Sequence, residues 1–212
     1  MTADSKHDIE QLRLAGQIVR GVHMRLHAGS HVDAPEHNVQ GGKQIHDLPL
    51  DIFFGDALIA DFRHKLPGKA ITEKDMENSL GNRIRKGDRL LLRTDHNNTY
   101  DGGSEKWMKE SPYLTIGATM WCIEKQVVIV GYDFYHGNDE PGAPRVFHNS
   151  RTLSEHGIIT MPYLKNLDRI DKDRFTLVGL PLKLVGAEAS PVRAVSASIG
   201  SLLPAARTMM RS

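Results

Sequence analysis

The sequence holds a single cysteine, Cys122, in 212 residues. That excludes an internal disulfide framework and a cysteine-rich zinc module, so any metal must be held by imidazoles and carboxylates, and a reducing compartment fits best. Charge of one sign is equally scarce: the formal net charge is +1, which gives no basic field for nucleic acid. No apolar run is long enough to cross a bilayer, and the opening MTADSKHDIEQLRLAG carries early acids in place of the apolar core of a signal peptide. A cytoplasmic protein with neither a membrane nor a nucleic-acid partner is expected. Neither a G-x-S-x-G nucleophile elbow nor a G-x-x-x-x-G-K-[ST] phosphate loop is present, which sets serine-nucleophile and P-loop chemistry aside. Repeats are lacking too, and the length suits one domain over 1–212.

Histidine, by contrast, is plentiful: of 11 in the chain, three fall with Asp33 inside HAGSHVDAPEH, from His27 to His37. A helix would put His27 and His31 on one face but send Asp33 to the other, and Gly29 and Pro35 both disfavour helix. In an extended chain His27, Gly29, His31, Asp33, Pro35 and His37 project to one side. A straight strand separates the His27 and His31 α-carbons by about 13 Å, near the limit for two imidazoles sharing an ion. The chain must therefore bend; Gly29 permits the bend and Pro35 fixes the exit. Two imidazoles and a carboxylate suit Zn²⁺, Mn²⁺ or Fe²⁺, with positions left open for water as in catalytic sites. His37 is then free to shuttle protons. A histidine-bearing surface loop that binds nothing is the alternative reading of these residues.

The rest of the chain reads as α/β. DIFFGDALIADF ends as a buried strand, AITEKDMENSLG is a short helix capped by Thr72 with Asp75 three residues on, and RKGDRLLLRTD is a turn at Gly87 followed by a strand. NNTYDGGSE reads as a polar loop. TIGATMWCIEKQ is a helix behind Thr115 with Ile116, Met120 and Ile123 on one face, and VVIVGYD is a buried strand. SRTLSEHG (helix, stopped by Gly157), IIT (strand), YLKNLDRI (helical turn) and strands in FTLVGLPLKLVG and SPVRAVSAS follow.

HAGSHVDAPEH resembles the H-x-G-T-H-x-D-x-P-x-H signature of the metal-dependent cyclase hydrolases, a family that includes bacterial kynurenine formamidases and isatin hydrolases. LLLRTD, VVIVGYDF, GIITMPYLKNLDRI and LPLKLVGAEASPVRAV agree in order, so the likeness runs from about Gly21 to Ser198. It implies a swivelling β/β/α domain, a mixed sheet with flanking helices, in a homodimer or homotetramer. By motif position His27, His31 and Asp33 bind one divalent metal, zinc or manganese, and His37 assists proton transfer; Ser30 replaces the usual threonine. The substrate implied is a small amide or lactam, such as an arylformamide or an isatin-like lactam. Two-metal relatives carry a later histidine and glutamate; here Ser150 and Pro162 stand in those places, leaving His148 or the acids of YHGNDEPG as reserve ligands. The segment ahead of the motif is also shorter than in relatives, which implies that part of the sheet is missing or supplied differently. Loss of the second metal site makes a non-catalytic metal-binding or scaffold member the alternative.

Outside the motif the expectations are plainer. Asp133 reads equally as a site or a loop-capping residue, and His136, Asp139, Glu140 and His148 as a solvated Gly/Pro-rich loop. Among Phe53, Phe54, Trp107, Tyr113 and Trp121, Trp107 is the best pocket candidate and Trp121 a packing residue. Arg193 reads as half of a structural ion pair, and Cys122 as a buried, inert thiol.

Overall fold

Short continuous apolar runs set the central strands, and one curled mixed sheet collects most of the strands. The computed structural model describes residues 8–14 and 17–197. Ahead of the histidine motif, β1 (Asp8–Leu14) and β2 (Gln17–His23) pair antiparallel as a hairpin with a sheet of its own. Strand structure therefore does precede the motif, standing apart from the main sheet. Then come β3 (His31–Asp33), β4 (Phe54–Asp61), β5 (Ala70–Ile71), α1 (Glu73–Leu80) and β6 (Arg89–Arg93). Next are α2 (His96–Thr99), α3 (Glu105–Lys109), β7 (Tyr113–Leu114), α4 (Ile116–Glu124), β8 (Ile129–Tyr132), α5 (His148–Glu155) and β9 (Ile159–Met161). The chain closes with β10 (Arg174–Val178), β11 (Ala189–Pro191) and β12 (Val195–Ala197). The main sheet runs β11-β3-β9-β8-β6-β4-β10-β12, and β5 pairs with β7 separately.

Its centre, β4-β6-β8-β9, is parallel, with α1, α4 and α5 as crossovers. Parallel neighbours need such crossovers, and helices over the sheet demand strands buried on both faces, which is why LLL and IIT carry no polar alternation. On the helical face Leu58, Leu90, Leu92, Val130 and Tyr132 pack with Met76, Leu80, Trp121 and Cys122. The opposite face buries Val32, Ile59, Leu91, Ile129 and Ile159 under Ile45, Phe53, Leu164 and Leu167. Asp33 and Thr160 are register partners between β3 and β9, so both sit on the helical face, Thr160 one strand and Asp33 two strands from Tyr132.

Two expectations change. NNTYDGGSE is no plain loop: α2 ends in it and Ser104 caps α3 by accepting from the Trp107 N–H. In α4, Ala118, Thr119, Trp121 and Cys122 are the buried residues and Met120 is 39% exposed. The helix packs between α1 and α5 as well as on the sheet, so the surface it buries is not the stripe that apolar spacing suggested. The 198–212 tail, including Ser198, lies outside the described residues.

Candidate metal centre

His27 lies in the turn between β2 and β3, where Gly29 takes φ 63°, left-handed backbone that glycine adopts without steric penalty. The turn folds His27 over β3, on which His31 and Asp33, two positions apart, share a face and are both buried. Pro35 then opens a 3-10 turn that brings His37 back, its ring centroid 4.2 Å from that of His27. The His27 and His31 rings meet edge-on at 5.0 Å. The bend predicted at Gly29 thus gathers all four motif side chains.

His27 Nδ1 lies 2.9 Å and His31 Nε2 3.2 Å from one Asp33 oxygen, Oδ1. Yet Asp33 Oδ1 and His31 Nε2 are buried without any hydrogen-bond partner. The reason is on the far side of each ring. His31 Nδ1 donates to the Gly29 carbonyl at 2.7 Å, and His27 Nε2 donates to Glu188 Oε1 at 3.0 Å. With a single proton per neutral imidazole, each ring turns a lone pair toward Asp33. Lone pairs converging in this way repel one another unless a cation lies among them. Separations of 2.9 and 3.2 Å also match those between neighbouring ligands bonded at about 2.0–2.2 Å to one ion. The donor set fits a divalent metal.

Without an ion, protons on the two rings take the cation's place: burial opposes a charge on Asp33, but hydrogen bonds from the His27 and His31 rings then hold its carboxyl far below the ordinary range, and its other oxygen accepts from Thr160 Oγ1 at 2.9 Å. Burial also disfavours a positive His27, yet Asp33 and Glu188 outweigh it and raise its pKa; the same field draws a cation. Burial pushes His37 below its ordinary value despite the pull of Asp33, which favours the neutral ring. Ligand atoms of His27, Asp33 and His37 all lie within 4.8 Å of one another, whereas His31 falls outside that set and meets it through Asp33 Oδ1, so His37 is placed either to complete the shell or to move protons beside it.

Other residues fall differently from expectation. His136 is no solvated-loop histidine: its Nδ1 is buried without a partner, its ring lies 5.4 Å from that of Tyr163, and burial beside the centre pushes its pKa down to about 4. Asp139 accepts from the His148 and Asn149 N–H groups at the start of α5, and Glu140 from the Ile116 N–H at the start of α4. These acids are engaged as helix caps, and the cluster of possible ligands among the described residues does not include His148. Ser150 and Pro162 are buried and supply no ligand nitrogen or carboxylate. Asp133 caps the Thr94–Asp95 turn through three hydrogen bonds, and Cys122 is fully buried, its thiol pushed up to about 12. Arg193 is exposed and joins none of the ion pairs among the described residues. Trp121 packs in the core; Trp107 backs the site, 5.3 Å from the Tyr163 ring, which is itself 5.3 Å from His31. Tyr113 lines the adjoining cleft, whereas Phe53 is core and Phe54 exposed. Sequence reasoning missed Glu188, Thr160, Tyr132 and Tyr163, which come from strands and loops far beyond the motif in sequence and carry no local pattern of their own.

Comparison with known proteins agrees with this geometry. The family described as "Putative cyclase" matches residues 2–137. A kynurenine formamidase of Bacillus cereus is 30% identical over 172 residues, 81% of this chain and 76% of the relative. Among solved structures, a predicted metal-dependent hydrolase from Bacillus stearothermophilus superposes with a TM-score of 0.72 at 25% identity, covering 91% of this chain and 87% of its own. Isatin hydrolase A from Labrenzia aggregata, bound to benzyl benzoate, shares the fold with a TM-score of 0.76 at 22% identity, over 90% of this chain and 82% of its own. With the motif, the fold and the site in accord, this chain belongs to the cyclase family.

Proposed function

We propose that this chain hydrolyses a small amide or lactam at one divalent ion, zinc or manganese, held by His27, His31 and Asp33. The observation that carries the reading is the pair of imidazole lone pairs aimed at one buried, unpartnered carboxylate oxygen. A divalent cation supplies a polarised carbonyl and a more acidic water, which is what amide hydrolysis at neutral pH requires. The chain's own groups do the rest. Glu188 and the Gly29 carbonyl fix the tautomers of His27 and His31, and Thr160 orients Asp33. His37, neutral and beside His27, accepts a proton from the attacking water and returns it to the leaving nitrogen.

An arylformamide is the first substrate to try, in keeping with the formamidase relative, and isatin the second. The working form on this reading is a cytoplasmic homodimer or homotetramer. Among the described residues no helix is long and apolar enough to cross a membrane. A second reading, a metal-binding or scaffold protein without turnover, draws on Ser150 and Pro162 standing where two-metal relatives place ligands. Turnover of formanilide and isatin by the zinc- and manganese-loaded protein decides between them. The hydrolase reading expects at least one to be consumed and His31→Ala to abolish it. Bound metal with no turnover across amides, lactams and esters would favour the scaffold.

A further inference from the structure

Tyr163, two residues past β9, has φ 61°, left-handed backbone that is uncommon for any residue with a Cβ and costs free energy in one this bulky. Such a conformation persists only where its surroundings enforce it, and it concentrates at active sites. Here the backbone is tied on both sides. Ser30 Oγ, from inside the histidine motif, donates to the Tyr163 carbonyl at 2.8 Å. The next residue, Leu164, donates its N–H to the Tyr132 carbonyl at 3.0 Å, and its own carbonyl accepts from Asn97 Nδ2 at 2.9 Å.

The ring is held as firmly as the backbone. Trp107 lies 5.3 Å from it, itself fixed because its indole N–H donates to Asn97 Oδ1 at 2.6 Å and its carbonyl accepts from His96 Nε2 at 2.7 Å. The rings of His31 and His136 lie 5.3 and 5.4 Å away. A strained tyrosine is thus locked against a metal ligand. What the lock presents is an unspent hydroxyl: it has no hydrogen-bond partner among the described residues, and it is not one of the fully buried orphan atoms, so it meets solvent. It is near enough to Asp33 to feel the carboxylate's charge, yet Asp33 does not take it. Oδ2 accepts from Thr160, and Oδ1 faces His27 and His31. The donors of Trp107 and Asn97 are already engaged, which leaves the Tyr163 O–H as the free one in this group.

Resting on the hydrolase reading, we propose that Tyr163 is a catalytic residue whose hydroxyl donates a hydrogen bond to the amide oxygen as that oxygen gains negative charge. Water oxygen adds to the carbonyl carbon, the C=O π pair moves onto oxygen, and the Tyr163 O–H binds that oxygen without giving up its proton. The pair then returns to re-form C=O as the C–N bond breaks, with the proton for nitrogen coming through His37. A donor fixed before the reaction costs no reorganisation when charge develops, which is why strain in its backbone is tolerated. A phenol, with an ordinary pKa of about 10, is in its donor form at neutral pH.

The test uses the zinc-loaded full chain and its Tyr163→Phe variant, which keeps the ring and deletes only the hydroxyl. Zinc content is measured on both, turnover of formanilide and isatin gives kcat and KM, and calorimetry follows phenylphosphonate, a tetrahedral anion shaped like the intermediate. We expect kcat to fall about tenfold to a hundredfold with KM within about twofold, because the bond is made in the transition state and not before it. Phenylphosphonate should bind about tenfold more weakly, and zinc should stay at about one per chain. Unchanged kcat in an active enzyme, or equal phosphonate binding, would overturn the proposal and leave the hydrolase reading standing. Zinc lost with the hydroxyl would overturn it as well, by making Tyr163 a ligand. If the wild type consumes neither amide nor lactam, the hydrolase reading fails and phenylphosphonate decides alone: weaker binding to Tyr163→Phe upholds the hydroxyl as an oxyanion donor, and equal binding removes it.

Discussion

Glu188 decides which nitrogen of His27 faces Asp33, because its Oε1 lies 3.0 Å from Nε2 and claims the single proton of the neutral ring. Outer-shell carboxylates of this kind are worth about 10–100-fold in metal affinity. Glu188→Ala is therefore expected to weaken zinc binding by that factor in a chelator competition while leaving the circular dichroism spectrum unchanged; undiminished affinity would remove Glu188 from the centre. At this scale the sequence was informative in one place. His27, His31, Asp33 and His37 were legible because they share one segment, and period-two spacing with one glycine bend is a local rule. His136 was misread as solvated and Glu188 passed unnoticed because their roles arise from the crossing of loops with the β3 edge of the sheet, which no local spacing encodes. The lone cysteine was read correctly: a fully buried thiol with its pKa near 12 should ignore maleimide in the folded protein and react once per chain in denaturant. Rapid labelling of native protein would contradict that placement.

Elements with caps written into their sequence were legible to the residue. Thr72 accepts from the Asp75 N–H, Asp75 accepts from the Thr72 N–H in return, and α1 ends at Gly81, φ 41°. Lys65 Nζ lies 2.5 Å from the same Asp75 carboxylate. Partial burial works against the ionised Asp75, but the hydrogen bonds from Lys65 and Thr72 win and hold its pKa at about 2. Because the folded pKa lies below the unfolded value of 3.8, this contribution is complete above about pH 4 and is lost as pH falls toward 2. Asp75→Asn should lower the urea midpoint at pH 7, and the gap from wild type should narrow on acidification to pH 2.5. A gap independent of pH would show that the carboxylate charge does not matter. Elements whose faces are set by neighbours were less legible. The apolar spacing of α4 named Met120, whereas packing between α1 and α5 buries Ala118, Trp121 and Cys122 instead.

On the scale of the whole molecule, the centre is a crosslink. His27 comes from the turn after β2, His31 and Asp33 from β3, His37 from the following turn, Thr160 from β9 and Glu188 from the approach to β11. An ion bound only by the folded arrangement stabilises it by mass action, about 2.7 kcal/mol at a hundredfold excess over Kd. For a chain of this size that corresponds to a fall in Tm of roughly 5–10 °C on chelation, reversed by adding zinc or manganese. An unchanged Tm would mean that no ion links these strands. The buried strands at the centre of the sheet and the helices between them were foreseeable from continuous apolar runs and caps. Strands were expected in FTLVGLPLKLVG and SPVRAVSAS as well, but the antiparallel pairings β11-β3 and β10-β12 were not, because β3, β11 and β12 have only three residues each and their partners, β12's apart, are distant in sequence.

The measurement that bears most directly on the central claim is metal content by elemental mass spectrometry, on protein purified without chelator, in wild type and His31→Ala side by side. The account predicts about one zinc or manganese per wild-type chain, as one tetrahedral or open catalytic site requires, and none in the variant. No stoichiometric metal in the wild type, or full metal retained in His31→Ala, would contradict it.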